Sequence, residues 1–405
     1  MAYELLGKLF FGDPTYYRSI YENRFYSSDS VILNFKIKEN IAFFVQTSEI
    51  ANLVIQILRA DKRIDQIKRS LPIPAIEQFA EKCLIGEIIL TNKIEGVHTD
   101  RSEVGAVLAE LRKKSEAKKV RNRFNGLVMK YTMLQSQELT PLDSCKDIRH
   151  LYDELVLPEV VSENPDNIPD GKIFRKNSTS VYDQTDKEIH RGLYPESAIQ
   201  TAVTKALSFL HQEDVEPLYR ICIFHYLLEY IHPFYDGNGR LGRFIISDLL
   251  SKQLDPLIAY RLSYTIITNI NKYNAAFKTC NDPHNLGDLT PFLTMMMEMI
   301  LESVNHLEEA LSKRKILLDR YAKATEKLGG TVRTRKTYYL LTQATLFAEH
   351  GVSIGEIEDY LEVSYSTAKG TLSVIKSSGL LMQKKVSHSI YYSLDLEKLD
   401  KLTSL

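Results

Sequence analysis

The chain has 405 residues, 44% hydrophobic and 25% charged, with 51 basic against 52 acidic side chains. That composition fits a globular protein long enough for two or three domains, and a net charge of -1 excludes a general electrostatic pull toward nucleic acid or anionic membrane. Cys83, Cys145, Cys222 and Cys280 are far apart and form no CxxC pair, so buried free thiols in a reducing compartment are expected.

The opening MAYELLGKLFFGD carries Glu4 and Lys8 inside its apolar stretch and lacks a small-residue cleavage site. It does not read as a signal peptide, no run reaches transmembrane length, and a cytoplasmic protein without a membrane partner is expected. Helical periodicity then dominates. From Ala75 to Glu95, residues Ile76, Phe79, Ala80, Cys83, Leu84 and Ile88 line one helical face. Thr91 and Glu95 continue that line, so Glu95 should point inward, and Gly96 stops the helix. A carboxylate there faces the negative end of the helix dipole, a placement that costs up to about 1 kcal/mol when exposed. It calls for a cationic partner, although periodicity alone favours a frayed end with a solvated glutamate.

From Ile168 to Pro195 the pattern changes. Pro169-Asp170-Gly171 and Gly192 bracket short runs of Ser, Thr, Val and Tyr, which predicts a hairpin or flap over Lys172 to Arg191. Helical spacing resumes with Phe224, Leu227, Leu228 and Ile231, and Pro233 ends that helix near His232. Gly237-x-Gly239-x-x-Gly242 formally matches a dinucleotide fingerprint, but a helix precedes it where a strand is required, and no GxxxxGK[ST] run is present. Leu241, Phe244, Ile245 and Leu249 predict a second helix over Arg240 to Leu250.

Glycines that open a helix leave its first amides free to bind an anion. Arg240 and Arg243 can add cationic donors, and Asp236 is a hard oxygen ligand suited to Mg2+ on phosphates. At the mouth of the same loop, His232 can take a proton from a hydroxyl near neutral pH. Separately, a GNG turn, two spaced arginines and a histidine before proline are each more often structural. Their contiguity favours a phosphoryl-type transfer site. Metal hydrolysis by His225, His232 and Asp236 is the weaker reading, because Pro233 disrupts the spacing and no further ligand is evident.

A break follows at Gly329-Gly330. Beyond it, Ser353-Ile354-Gly355-Glu356 has the spacing of a capping box. A helix to about Leu361, a turn at Val363-Ser364, a helix to Ser377, a stop at Gly379 and two strands, Leu380 to Lys385 and Ile390 to Ser393, make a winged-helix pattern. Lys369, Lys376, Lys384 and Lys385 suit phosphate contacts, yet Glu356, Glu358, Asp359 and Glu362 sit on the preceding helix. DNA binding, protein docking and homodimer formation therefore all stay open.

His232-Pro233-Phe234-Tyr235-Asp236-Gly237-Asn238-Gly239-Arg240-Leu241-Gly242-Arg243 resembles the HPFx[D/E]GNGRxxR signature of the Fic family. The resemblance implies a mainly α fold: a helical Fic core with a β-hairpin flap, joined here to the C-terminal winged-helix domain. It implies transfer of AMP from ATP, with Mg2+, to a Ser, Thr or Tyr hydroxyl of a target protein or of the enzyme itself. His232 would be the general base, Asp236 the Mg2+ ligand and Gly237, Asn238 and Gly239 the α- and β-phosphate cradle. Arg243 would meet the β/γ end, and Arg240 would support loop and phosphates, with Leu241 and Gly242 completing the segment. Tyr273, Asn274 and Asn281 stand at the family's adenine-side positions, although Asn274 replaces an aromatic and Pro283-His284-Asn285 is atypical. Val181 and Tyr182 would dock the target by strand addition. Thr91-Asn92-Lys93-Ile94-Glu95-Gly96 resembles the family's (S/T)xxxE(G/N) inhibitory motif, which implies that Glu95 pairs with Arg243.

The expected domains are residues 1–110 with the inhibitory helix at about 75–96, a core at 111–310, a linker helix at 311–330 and a winged-helix-like domain at 331–405. An autoinhibited protein adenylyltransferase is the leading expectation. The alternatives are a nucleotide-sensing DNA-binding regulator and a Fic enzyme that removes AMP or transfers another phosphate-linked group.

Overall fold

The computed structural model describes residues 3–112, 123–135, 141–182, 188–386 and 389–403. Helices Leu6–Gly12 (α1) and Pro14–Phe25 (α2) come first, and the Asp13 carboxylate accepts from the Thr15 and Tyr16 amides to start α2. Ser30–Ile37 (β1) and Asn40–Val45 (β2) form an antiparallel hairpin. Ser48–Arg69 (α3), Ile73–Ile94 (α4), Arg101–Arg112 (α5), Asn125–Met133 (α6), Cys145–Leu155 (α7) and Leu157–Glu163 (α8) follow. The short strands Ser180–Tyr182 (β3) and Glu188–Arg191 (β4) pair antiparallel. Next come Glu196–Leu210 (α9), Pro217–Ile231 (α10), Asn238–Gln253 (α11), Leu262–Thr268 (α12), Ile270–Asn281 (α13) and Thr290–Lys327 (α14). Val332–Phe347 (α15), Val352–Ser353 (β5), Ile354–Leu361 (α16), Tyr365–Ser377 (α17), Leu381–Val386 (β6), Ser389–Leu394 (β7) and Leu396–Thr403 (α18) complete the chain. The protein is mainly helical.

It divides into two compact units, one of Met1–Asp61 with Gly86–Asn305 and one of Lys62–Ile85 with His306–Leu405. One continuous helix, α14, runs through residue 310, where a boundary was expected.

In the first unit α10 is the core helix. From Leu218 to Ile231 every residue except Arg220 and Glu229 is buried, because the helix is apolar on nearly all sides. The next helix, α11, is almost as deeply buried, so the segment that joins them is held between two core helices. Backbone bonds from the Phe43 amide to the Gly287 carbonyl (3.0 Å) and from the Leu289 amide to the Phe43 carbonyl (2.7 Å) tie β2 to the approach to α14.

The second unit packs Leu341, Ala344, Ile357, Ala368, Leu372, Ile375, Leu380, Leu394 and Leu399 into its own core. The expected capping box is present: the Ser353 amide and hydroxyl both donate to Glu356 at 2.7 Å, and the Glu356 amide donates back to Ser353. The expected order of helix, turn, helix and two strands is there, with β5 added to make a sheet of order β5-β7-β6. Arg320 and Tyr321 donate to Asp400, at 2.7 and 2.9 Å, which fastens α18 to α14.

Three of the four thiols are buried as expected, whereas Cys145, at the first position of α7, is only half-buried. Among the described residues no helix is long and apolar enough to cross a membrane.

Candidate nucleotide site

The site hangs on the end of α10. The helix closes at Ile231, and His232 follows it in the left-handed region at φ 52°, a conformation that only a few per cent of non-glycine residues adopt. Arg175, wholly buried, holds it there. Its guanidinium donates to the carbonyls of His232 at 3.0 Å, Asn177 at 2.5 Å and Leu193 at 2.8 Å, so one side chain binds the histidine turn to both approaches of the flap. Burial pushes the His232 imidazole down to about 4; His190 and Arg175 push the same way and Glu95 opposes them. The ring is therefore neutral at pH 7 and able to accept a proton.

The turn after His232 is built on an aromatic stack. The Phe234 ring lies on Tyr152 with centroids 3.6 Å apart and planes 5° from parallel, and the Tyr152 hydroxyl donates to the Asp236 carbonyl. Asn238 closes the turn by accepting from the Phe234 amide at 3.0 Å and donating to the Phe234 carbonyl at 2.9 Å. Its side chain is thus spent on the loop, and only its backbone amide is left for the expected phosphate contact. Gly237 takes φ 80°, and α11 begins at Asn238, two residues before the expected start. Among the described residues no side chain caps that start, so the first amides of α11 remain available to an anion.

The two arginines part ways. Arg240 is buried and donates to Glu159, also buried, at 2.6 Å, and more distantly to Asp236 at 3.4 Å. It holds the loop from inside. Arg243 instead donates through Nε to the Thr91 hydroxyl at 2.9 Å and through Nη2 to the Thr91 carbonyl at 3.0 Å and Glu95 at 2.8 Å.

Glu95 is presented by the end of α4. The Val97 amide bonds the Asn92 carbonyl at 2.9 Å and the Gly96 amide bonds the Lys93 carbonyl at 3.1 Å, with Gly96 at φ 76°, which is a Schellman stop. The carboxylate so placed lies against the start of α11, where a Cβ on Gly239 would sit 2.4 Å from it. Its awkward position at the negative end of α4 is answered by the positive end of α11. Burial pushes the Glu95 carboxyl up, but Arg243, with Arg240 and His232 behind it, outweighs burial and holds it below the usual range.

Other expected residues fall in different places. Tyr273 is buried behind Arg243 with its hydroxyl 2.6 Å from His225 Nε2, and Asn281 accepts from the Tyr226 hydroxyl at 2.6 Å. Asn274 is exposed on α13, a quarter-turn away from buried Tyr273, and is not brought into the group. Leu241 belongs to the apolar core, and Gly242 gives room to the Glu229 carboxyl. In the flap Val181 pairs with His190; Tyr182 is paired with Glu188, and its side chain lies outside the described residues. The hairpin is shorter than expected, because the Lys172, Ile173 and Phe174 amides turn inward to donate to the Glu196 carboxylate. Arg175, Glu159, Tyr152 and Glu229 were not foreseen. Only Glu229 left a signal, as a lone charge in an otherwise apolar helix.

Against known proteins, residues 142–250 match the Fic/DOC family, so this chain carries a Fic domain. A protein adenylyltransferase Fic of Drosophila ananassae is 28% identical over 175 residues, 42% of this chain and 30% of that protein. Its counterpart from Drosophila yakuba is 31% identical over 88 residues, 22% of this chain and 16% of that protein. The matches span under a third of the length of these curated relatives. A Fic family protein from Desulfovibrio desulfuricans G20 has the same fold, with a TM-score of 0.52 at 20% identity over 86% of this chain and 96% of that one.

Proposed function

We propose that the protein is a restrained adenylyltransferase, which moves AMP from ATP to a Ser, Thr or Tyr hydroxyl of a target protein or of itself. One observation carries this reading: the uncapped start of α11 has a neutral histidine on one side and, on the other, an arginine already engaged by a carboxylate.

The chemistry follows from that arrangement. The amides at the α11 start would take the phosphates of ATP, and Arg243 would meet the terminal end. The target oxygen bonds to the α-phosphorus, the bond to the bridging oxygen breaks, pyrophosphate leaves and the hydroxyl proton passes to the His232 imidazole. Among the described residues no three His, Cys, Asp or Glu side chains converge as metal ligands, and Asp236 offers one partly exposed carboxylate. That donor set fits Mg2+ taking most of its oxygens from phosphates and water. Asp236 would hold it, and the ion when bound would neutralise phosphate charge. Among the described residues no further strand pairs with the two-stranded flap, which supports pairing of a target backbone near Val181.

Glu95 is the restraint. Its charge stands beside Gly239 and on Arg243, where a terminal phosphate would be repelled. Incubation with α-labelled ATP and Mg2+ tests both parts. Labelled protein should increase with Glu95→Gly and disappear when His232→Ala is added, a loss of two to four orders of magnitude, roughly what a general base contributes. Equal labelling in the double variant would remove His232 as the base.

A further inference from the structure

Glu229 interrupts α10 one turn before His232, and its Oε1 is buried without a hydrogen-bond partner among the described residues. An unpaired buried oxygen costs stability, so packing does not account for it. Its carboxyl reaches the backbone of α11 at Gly242, where a Cβ would lie 2.2 Å from Oε1. One turn earlier a Cβ on Gly239 would lie 2.4 Å from Glu95 Oε1 and 2.8 Å from Arg243 Nη1. Positions 239, 242 and 243 are neighbours on one side of a helix. Two glutamates, from the end of α4 and from α10, therefore address the same side of α11, where Arg243 is the nearby cation.

Arg243 spends Nε and Nη2 on Thr91 and Glu95, and among the described residues its Nη1 makes no hydrogen bond. The arginine has a free edge and Glu229 has a free oxygen. We infer that Glu229 is a positioning residue for Arg243: it receives the guanidinium when Glu95 withdraws, and so keeps the arginine facing the nucleotide. This rests on the proposed restraint by Glu95.

The same cluster explains why the exchange is one-sided while Glu95 is in place. Glu95 and Glu229, with buried Glu87 of α4 also in the field of Arg243, leave an excess of buried negative charge, so they do not all stay ionised. Burial pushes the Glu229 carboxyl up to about 8, with Glu95 adding and Arg243 opposing. The other groups near it are His225 on its own helix and His232 just past the end of that helix, both held neutral by burial, and the Tyr273 hydroxyl on α13. Departure of Glu95 removes a smaller opposing charge and frees the Arg243 guanidinium, and it is pairing with that guanidinium that offsets burial and lets Glu229 ionise. Nucleotide binding by the wild-type protein is thereby coupled to release of one proton.

The test is the dissociation constant of ATP with Mg2+ from pH 6 to pH 8 for wild type, Glu95→Gly, Glu229→Gln and Glu229→Asp. In wild type the affinity should rise with pH, by at most tenfold per unit because one proton is involved. Glu95→Gly should bind tightly with little further pH dependence, and Glu229→Gln should bind weakly with the slope lost. Glu229→Asp should restore the slope, which a role in packing would not do. Titration of the nucleotide itself is common to all four proteins. The same slope in wild type and Glu229→Gln, with Glu95→Gly still tight, overturns the role of Glu229 alone. No gain in Glu95→Gly overturns the restraint and this inference together. Should Glu229→Gln fail to fold, a flat wild-type profile beside a tight Glu95→Gly still overturns it.

Discussion

Arg240 and Arg243 leave the same helix one turn apart, yet their surroundings differ in kind. Arg240 and its partner Glu159 are 1% and 2% exposed, so neither charge can reach water if the other is lost. Arg243 is as deeply buried, but its partner Glu95 keeps a quarter of its side chain exposed and stands on the terminal turn of α4. A pair sealed on both sides fixes a loop. A pair with one wet partner opens at lower cost, because the carboxylate can return to solvent while Arg243 keeps its two bonds to Thr91. The first therefore sets the geometry of the site and the second is fitted to regulate access to it.

That contrast can be broken by measurement, and the largest effect belongs to the sealed corner. Glu159→Ala leaves a buried guanidinium unpaired and should destabilise the protein by about 3–5 kcal/mol, read as a fall in denaturation midpoint. Asn238→Ala frees the Phe234 amide and carbonyl inside the same loop and should cost about 1–3 kcal/mol. Glu95→Ala should cost no more than about 1–2 kcal/mol, because Arg243 keeps both bonds to Thr91, while tightening ATP binding. A stability loss as large as that of Glu159→Ala would show the two corners to be alike.

The smallest expected effect is in the pH profile of the released enzyme. Burial keeps His232 neutral down to about 4, well below the ordinary histidine value, so it should remain an unprotonated base from pH 5 to pH 8. As pH falls through about 4 it gains a proton and activity is lost. Glu95 raises this value, so its removal can only lower it. In Glu95→Ala protein the acid limb of kcat/KM should therefore appear no higher than about pH 4, and a limb near 6.5 would contradict burial as the cause.

Much of this was legible before any fold was drawn. The run from His232 to Arg243 contains its own histidine, glycines and arginines, and the apolar spacing on either side placed it between two helices. Capping at Ser353 and Glu356 and the stop at Gly96 were legible for the same reason: each depends on neighbours within about one helical turn. Resemblance, not periodicity, named Arg243 as the partner of Glu95, since periodicity by itself favoured a solvated end. That the Asn238 side chain serves the turn was not legible, because its type suits a ligand as well as a turn and only the positions of the Phe234 amide and carbonyl separate the two.

Local chemistry alone thus determined that an anion could be bound and a proton accepted in one short segment. Tertiary packing decided which carboxylate meets which arginine, with Glu159 reaching Arg240 across 81 positions and Glu95 reaching Arg243 across 148. It also decided that Arg175 would hold His232 in its left-handed turn. The physical reason is range: backbone and capping rules act over a few residues, whereas the pairing of buried charges depends on which helices come to lie side by side.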